Sequence, residues 1–227
     1  MLYLVATPIG NLKDITLRAL EVLKQADVIA CEDTRRTGRL LKSYEIGARL
    51  ASFHDHSGPG RLGELISLLK EGKNVALVSD GGTPLISDPG FPLVREAIRE
   101  GIRVEAIPGP SAPIAALIAS GLPTERFSFW GYLPAKSARR KKELEALAAV
   151  EHTLVFFESP HRLAATLREM LEVLGEREAA LCRELTKKFE EITRGSLKEL
   201  VEKFSQKKIL GEIVLVVAGK GRKAVFK

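Results

Sequence analysis

Through the first 120 residues, short apolar runs alternate with longer segments whose apolar positions recur every three or four residues. LYLVA precedes ITLRALEVLKQA, VIACE precedes TRRTGRLLKSY, and ARLASF precedes GRLGELISLLKEG; NVALVS then precedes PGFPLVREAIREG, and IRVEAIP precedes PSAPIAALIAS. The short apolar runs read as strands and the longer segments as helices. Five such units predict a mostly parallel sheet with helices on both faces. Ligands of such sheets bind beyond the carboxyl ends of the strands, which directs attention to the loops after Ala6, Glu32, Phe53, Ser79 and Ile107.

Near Gly121 the pattern changes, and SGLPTER reads as a connection to a second unit. Two α/β domains are expected, over residues 1–118 and 119–227. The second contains FSFWGYL, a charged helix over Lys136–Val150, HTLVFFE, a helix over His161–Leu174, then AALCREL, FEEITRG, a helix over Leu197–Phe204, and EIVLVVAG. The direct succession of AALCREL and FEEITRG predicts a mixed or antiparallel sheet. No internal repeat is evident, and the closing KGRKAVFK reads as a mobile tail.

Composition narrows the class. A chain of 227 residues with 45% hydrophobic content can bury a substantial core, which excludes general disorder. Cys31 and Cys182 lie far apart in apolar runs, the pattern of buried thiols in a reducing, cytoplasmic compartment. MLYLVATPIGN has no basic leader, and uncharged Ala106–Thr124 is interrupted by Pro108, Pro110, Pro113 and Pro123, so no membrane segment is expected. Residues 1–120 carry 14 Lys/Arg against 14 Asp/Glu, and residues 121–227 carry 21 against 15, so the whole formal charge of +6 belongs to the second half. Such asymmetry favours a polyanionic partner.

The first strand runs into ATPIGN where a dinucleotide site would show GxGxxG, and no GxxxxGK[ST] loop is present. SDGGTPLISDPG instead packs glycines, prolines and small hydroxyl residues directly after the fourth strand, a composition that lets main chain approach a ligand over Gly81–Ile86. Asp88 reads as the cap of the helix that Pro89 begins. IPGPSA follows the fifth strand with similar character and reads equally as an ordinary turn or as part of a ligand slot.

Charged residues at strand ends carry two readings each. Asp33 or Thr34 closes the first turn of the second helix, and Asp33 also suits catalysis; Arg35, one turn in, suits a phosphate. His54 and His56 fall on one side of an extended chain, without an evident third metal ligand. In ESPHR, Ser159 caps a helix whose first position is Pro160, Arg162 is expected to be exposed, and RNA contact by His161 or Arg162 is an additional expectation. In PAKSARRKKE, Lys136, Arg139, Arg140, Lys141 and Lys142 arrive without an acid, as a solvated face or as a phosphate-neutralising patch.

Taken in order, LVATPIGNLKDIT, ACEDTR, SFHDH, SDGGTPLISDPG, IPGPSA, FFESPHR and GEIVLVVAG resemble the tetrapyrrole-methylase-like superfamily over nearly the whole chain. The likeness is nearest to its branch that methylates a cytidine ribose 2′-oxygen in small-subunit ribosomal RNA. The resemblance implies a homodimer with S-adenosylmethionine in a cleft between the domains, contacted by Pro8, Asp80, Gly82, Thr83, Ile86, Ser111, Ala112 and Phe157, and on the far side by Leu185, Glu212 and Ile213. ATPIGN and Thr83 depart from the small-molecule members, which carry a GxGPGD opening and an acid before the loop proline. A sulfonium donor brings its own electrophile, so no metal is required, and the protein must place the hydroxyl and manage one proton. Carboxylates, imidazole or unprotonated lysine at the cleft serve as candidate bases: Glu32, Asp33, His54, Glu158, Glu184 and Lys187. The RNA would meet Arg35, Lys136, Arg139, Arg140, Lys141, Lys142 and Arg162. Methylation of a tetrapyrrole or protein side chain, and noncatalytic RNA binding, are the competing readings.

Overall fold

The computed structural model describes residues 1–54, 57–207 and 209–221. His56 of the expected histidine pair and residues 222–227 of the expected tail lie outside the described residues. The chain divides into two units, Met1–Ser111 and Ala112–Lys227.

The first unit alternates β1 (Leu2–Val5), α1 (Leu17–Gln25), β2 (Val28–Cys31), α2 (Thr34–Ser43), β3 (Arg49–Ser52), α3 (Pro59–Lys70), β4 (Val75–Val78), α4 (Phe91–Arg99) and β5 (Val104–Ile107). Its strands are all parallel in the order β3-β2-β4-β1-β5. Side chains of a strand alternate between faces, so each continuous apolar run feeds two cores. Leu2, Ala30, Val75 and Leu77 pack with Leu65 and Leu69 of α3 and Leu93 of α4. Val5, Ile29, Cys31, Ala76 and Val78 pack on the other side with Ala19 and Leu23 of α1 and Leu41 of α2.

The second unit opens with α5 (Ala112–Ser120), ahead of the boundary expected at 118/119. It continues with β6 (Phe127–Tyr132), α6 (Ser137–Leu147), β7 (Thr153–Glu158), α7 (Leu163–Leu174), β8 (Glu178–Arg183), β9 (Glu191–Ser196), α8 (Leu197–Phe204) and β10 (Ile213–Val217). The sheet order is β6-β7-β10-β8-β9, with β6 and β7 parallel and every other pair antiparallel. Leu154, Phe156, Leu181 and Leu215 pack on one face against α6, α7 and α8. On the other, α5 packs against β7, β8 and β10, and the Cys182 thiol lies 3.9 Å from the Ala116 carbonyl. Both cysteines are free and buried, and burial pushes the Cys182 thiol up to about 12, so it behaves as a small hydrophobe.

Two helix starts differ from expectation. Asp88 does not cap α4: the N-cap is Gly90, whose φ of 137° and a Cβ position 2.6 Å from Leu77 Cδ2 admit no side chain. Ser159 does not cap α7 through its side chain; the N-cap is Arg162, and residues 159–162 form a turn closed by the Arg162 N–H on the Ser159 carbonyl. In both cases the proline sits in the turn ahead of the helix.

Candidate functional site

Because β4, β1 and β5 are neighbours, the loops that follow them share one edge of the first sheet. They are tied together there. Thr7 and Gly82 exchange backbone hydrogen bonds of 2.9 Å, the Ser79 hydroxyl donates to the Gly82 carbonyl at 3.3 Å, and the Thr83 hydroxyl donates to the Pro110 carbonyl at 3.1 Å. Gly82 has a φ of 98°, and Leu85 and Ser87 also take left-handed backbone, with φ of 70° and 63°. Left-handed non-glycine residues are strained and concentrate where a loop is held for a purpose. Pro8, Asp80, Gly82 and Thr83 are thus brought together, with Ile86 exposed in the same loop and Ser111 next after Pro110.

The second-strand loop joins this edge because β2 adjoins β4. The Asp33 N–H donates to the Asp80 carboxylate at 3.2 Å, and the Arg36 guanidinium pairs with the other oxygen at 3.3 Å. Asp33 caps α2 by accepting from the Arg35 N–H at 2.8 Å, and its carboxylate also pairs with the Arg35 guanidinium. Those Arg35 bonds hold the Asp33 carboxyl down at about 2. It is a cap and a weak base. Asp88 is the opposite case: burial raises it to about 6 against the lowering hydrogen bond with Ser79, with repulsion from Glu32 and Asp80 adding to the rise. Sequence reading missed Asp88 and Arg36 as members of this site. The carboxyls after two adjacent parallel strands were the available signal, once the strand order was known.

In the second unit the candidates gather at one end of the sheet, where Phe157 pairs with Val214, and Ile213 lies between Glu158 and Arg183. Glu184 and Glu212 are joined twice: the Glu184 N–H donates to the Glu212 carbonyl at 3.0 Å, and the Glu212 N–H to the Glu184 carboxylate at 2.9 Å. Lys187 donates to both side chains, at 2.9 and 3.1 Å, and Leu185 is buried between. Burial acts against the Lys187 ammonium, but those two carboxylates outweigh it and raise its affinity for the proton. Burial likewise opposes the Glu184 carboxylate, and the Glu212 N–H and Lys187 overcome it, lowering its value.

Two expectations are corrected by this geometry. Lys187 stays protonated and cannot act as an unprotonated-amine base. Glu158, 2% exposed, faces the helical side of the sheet with Leu154 and Phe156; its carboxylate accepts from the Ser159 N–H and the Thr166 hydroxyl and pairs with Arg162 at 3.2 Å. A carboxylate so saturated fixes the start of α7 and meets no substrate proton.

The sequence pattern of the family described as Tetrapyrrole (Corrin/Porphyrin) Methylases matches residues 1–201. The chain belongs to this methylase family. It is 56% identical to the ribosomal RNA small subunit methyltransferase I of Mesorhizobium japonicum, over 98% of this chain and 76% of the relative. It is 50% identical to the protein of the same name from Thermotoga maritima, over 96% of this chain and 98% of the relative. Among solved structures, the uroporphyrin-III-C-methyltransferase from Thermus thermophilus superposes with a TM-score of 0.66 at 25% identity, covering 96% of this chain and 93% of that one.

The methyl donor of this methylase family is S-adenosylmethionine, and the first-unit edge fits such a group. A Cβ on Gly81 would lie 3.2 Å from the Pro8 carbonyl oxygen, so the two loops approach closely through main chain there. Asp80, fixed by Arg36, and the Thr83 hydroxyl supply polar contacts, and Ile86 an apolar one. Ala112 and Phe157 belong to the second unit, with Leu185, Glu212 and Ile213.

The basic run of this methylase divides sharply. Arg140 is buried, with its guanidinium on both oxygens of Glu169 at 2.6 and 2.9 Å and on the carbonyls of Pro134 and Ala135. It reaches no phosphate, which corrects its expected RNA role. Its spacing from buried Leu144 and Leu147 marks the inward stripe of α6, a signal present in the sequence. Lys141 is engaged by Glu172 at 2.7 Å, and Arg162 is held by Glu158 and the Leu133 carbonyl. Lys136, Arg139 and Lys142 are exposed with no carboxylate partner among the described residues. Among the described residues no group of three His, Cys, Asp or Glu is placed to hold a metal, and no helix is long and apolar enough to cross a membrane.

Proposed function

We propose that the chain transfers the methyl group of S-adenosylmethionine to a cytidine ribose 2′-oxygen of small-subunit ribosomal RNA, as a homodimer. The observation that carries the reading is the knitted edge of loops after β4, β1 and β5, a slot for a small polar group in a chain half identical to proteins named for ribosomal RNA methylation. In this reading Pro8, Asp80, Gly82, Thr83, Ile86 and Ser111 are the cofactor contacts of the first unit, and Ala112, Phe157, Leu185, Glu212 and Ile213 are the contacts proposed for the second.

The bound sulfonium supplies the electrophilic carbon, so the residues act chiefly by placement. Thr83 and the Thr7–Gly82 bridge fix the loop; Arg36 fixes Asp80. A base is not supplied by the clamped Glu158 or by protonated Lys187, and Asp33 and Glu184 are poor bases because their partners stabilise the anion. Asp88 holds a proton more tightly than Asp33 or Glu184 and is the better acceptor. Lys136, Arg139 and Lys142 supply cations for the RNA backbone.

The test is transfer of labelled methyl to small subunits lacking the modification, followed by mapping of the modified nucleotide. Label in a ribose 2′-oxygen of one cytidine is the expected result. Label only in a tetrapyrrole or a protein acceptor would reassign the substrate. Replacing Gly82 by leucine is expected to abolish calorimetric uptake of S-adenosylmethionine, and normal uptake would place the slot elsewhere; sedimentation of the wild-type chain as a monomer would remove the dimer.

A further inference from the structure

We propose that the free edge of β6 is a stacking platform for unpaired nucleotides of the substrate RNA, a deepening that rests on the reading above. Of the large hydrophobic side chains left exposed, three aromatic ones fall within this single strand: Phe127 at 40%, Trp130 at 40% and Tyr132 at 57%. Exposure of that much ring on one six-residue strand is unusual, because aromatic area is normally the first to be buried.

The rings are held in place. Trp130 donates its indole N–H to the Ser128 hydroxyl at 2.8 Å, and that oxygen lies 2.9 Å from Nε2 of His152. The polar atom of the indole is therefore already committed, and what remains to offer is the ring. Tyr132 rests against Phe157 with centroids 5.4 Å apart, and Phe157 is braced edge-on by Phe129 at 5.0 Å. Rings positioned in advance lose little freedom on stacking.

Charge and backbone identify the occupant. Arg126 stands immediately before the strand and Lys136, Arg139 and Lys142 follow it along the chain, all exposed and without carboxylate partners among the described residues; the exposed acids of the same stretch, Glu125, Glu145 and Glu151, are fewer than these cations. Exposed aromatic rings on a strand flanked along the chain by cations match a polymer that carries a phosphate for every base. A second protein strand fits worse. Among the described residues β6 pairs only with β7, and the register shift between Phe129 and Tyr132 breaks the regular ladder that an added strand would need. A duplex also fits worse, since its base faces are already stacked.

Trp130 is the sole tryptophan of the chain, so its fluorescence reports on this edge alone. Titration with an unstructured oligoribonucleotide is expected to quench the emission saturably. The same strand annealed to its complement, and inorganic polyphosphate, are expected to leave it unchanged. By anisotropy of the labelled single strand, Trp130→Ala and Tyr132→Ala should each weaken binding about ten-fold, and Trp130→Phe should restore most of it. Binding without quenching, or quenching that grows with protein concentration in the absence of RNA, would overturn the platform, the second outcome assigning the edge to another copy of the chain. Methyl transfer separates the layers: if wild-type protein labels small subunits and Trp130→Ala does so with unchanged KM, the platform fails and the substrate reading stands, whereas no transfer by the wild type fails the reading itself.

Discussion

The two units solve different problems with sheets of equal size. The first is charge-balanced and builds its site from main chain: small residues at the ends of parallel strands, a glycine bridge, and an Asp80 carboxylate oriented by the Asp33 N–H and by Arg36. The second carries all the excess positive charge and builds its candidate surfaces from side chains, with paired acids and a lysine at one sheet end and exposed rings and cations along one edge. A parallel sheet collects its loops at one edge by topology, so a pocket there needs only residues that do not obstruct it. A mixed sheet offers no such convergence, and recognition there depends on which long side chains remain unpaired. Like charges in one run can consequently have opposite fates.

That division is broken most sharply at Arg140. If its role is structural, Arg140→Ala leaves Glu169 buried without its partner and is expected to lower unfolding free energy by about 3–5 kcal/mol in denaturant titration. Its RNA affinity, measured where it is still folded, should change little. Glu in place of Lys136, Arg139 and Lys142 should do the reverse. Stability should stay within about 0.5 kcal/mol. Affinity for single-stranded RNA should fall, and the salt slope should shrink by about two, since each lost phosphate contact contributes about 0.7. Equal RNA defects in both variants would mean that the run acts as one patch after all.

The fold was legible because its signals are local. Among the described residues each of the ten strands and eight α-helices lies where an apolar run or a periodic segment predicts it, and the adjacency of AALCREL to FEEITRG, read as a mixed or antiparallel sheet, is an antiparallel pair in a mixed sheet. The site was legible only where residues speak through their immediate neighbours, as in the loop from Ser79 and the cap at Asp33. Glu158 and Arg140 were misread for one shared reason: a charged residue at the inward position of a strand or helix is engaged by a partner 8 or 29 residues away, Thr166 or Glu169, which no local pattern names. Asp88 was read as a cap because Pro89 follows it, whereas the N-cap is Gly90, a position where Leu77 leaves no room for a side chain.

Asp88 gives the smaller and subtler test of the first unit. Its carboxyl titrates at about 6 in the folded chain against 3.8 in an unperturbed one, with burial as the leading cause. Between those values the folded state holds more protons than the unfolded state, so this group's contribution to stability is present at low pH and is lost as pH rises through 6. Asp88→Asn removes the charge and should raise stability at pH 8 by about 1 kcal/mol, the partial exposure of the site keeping it below the full value of the shift. At pH 4 the variant and wild type should melt together. If Asp88 also accepts the substrate proton, the same substitution removes the fall of kcat below pH 6 while lowering its plateau. A plateau unchanged at high pH, with the stability difference intact, would confine Asp88 to the electrostatics of the loop and leave placement as the whole contribution of this edge.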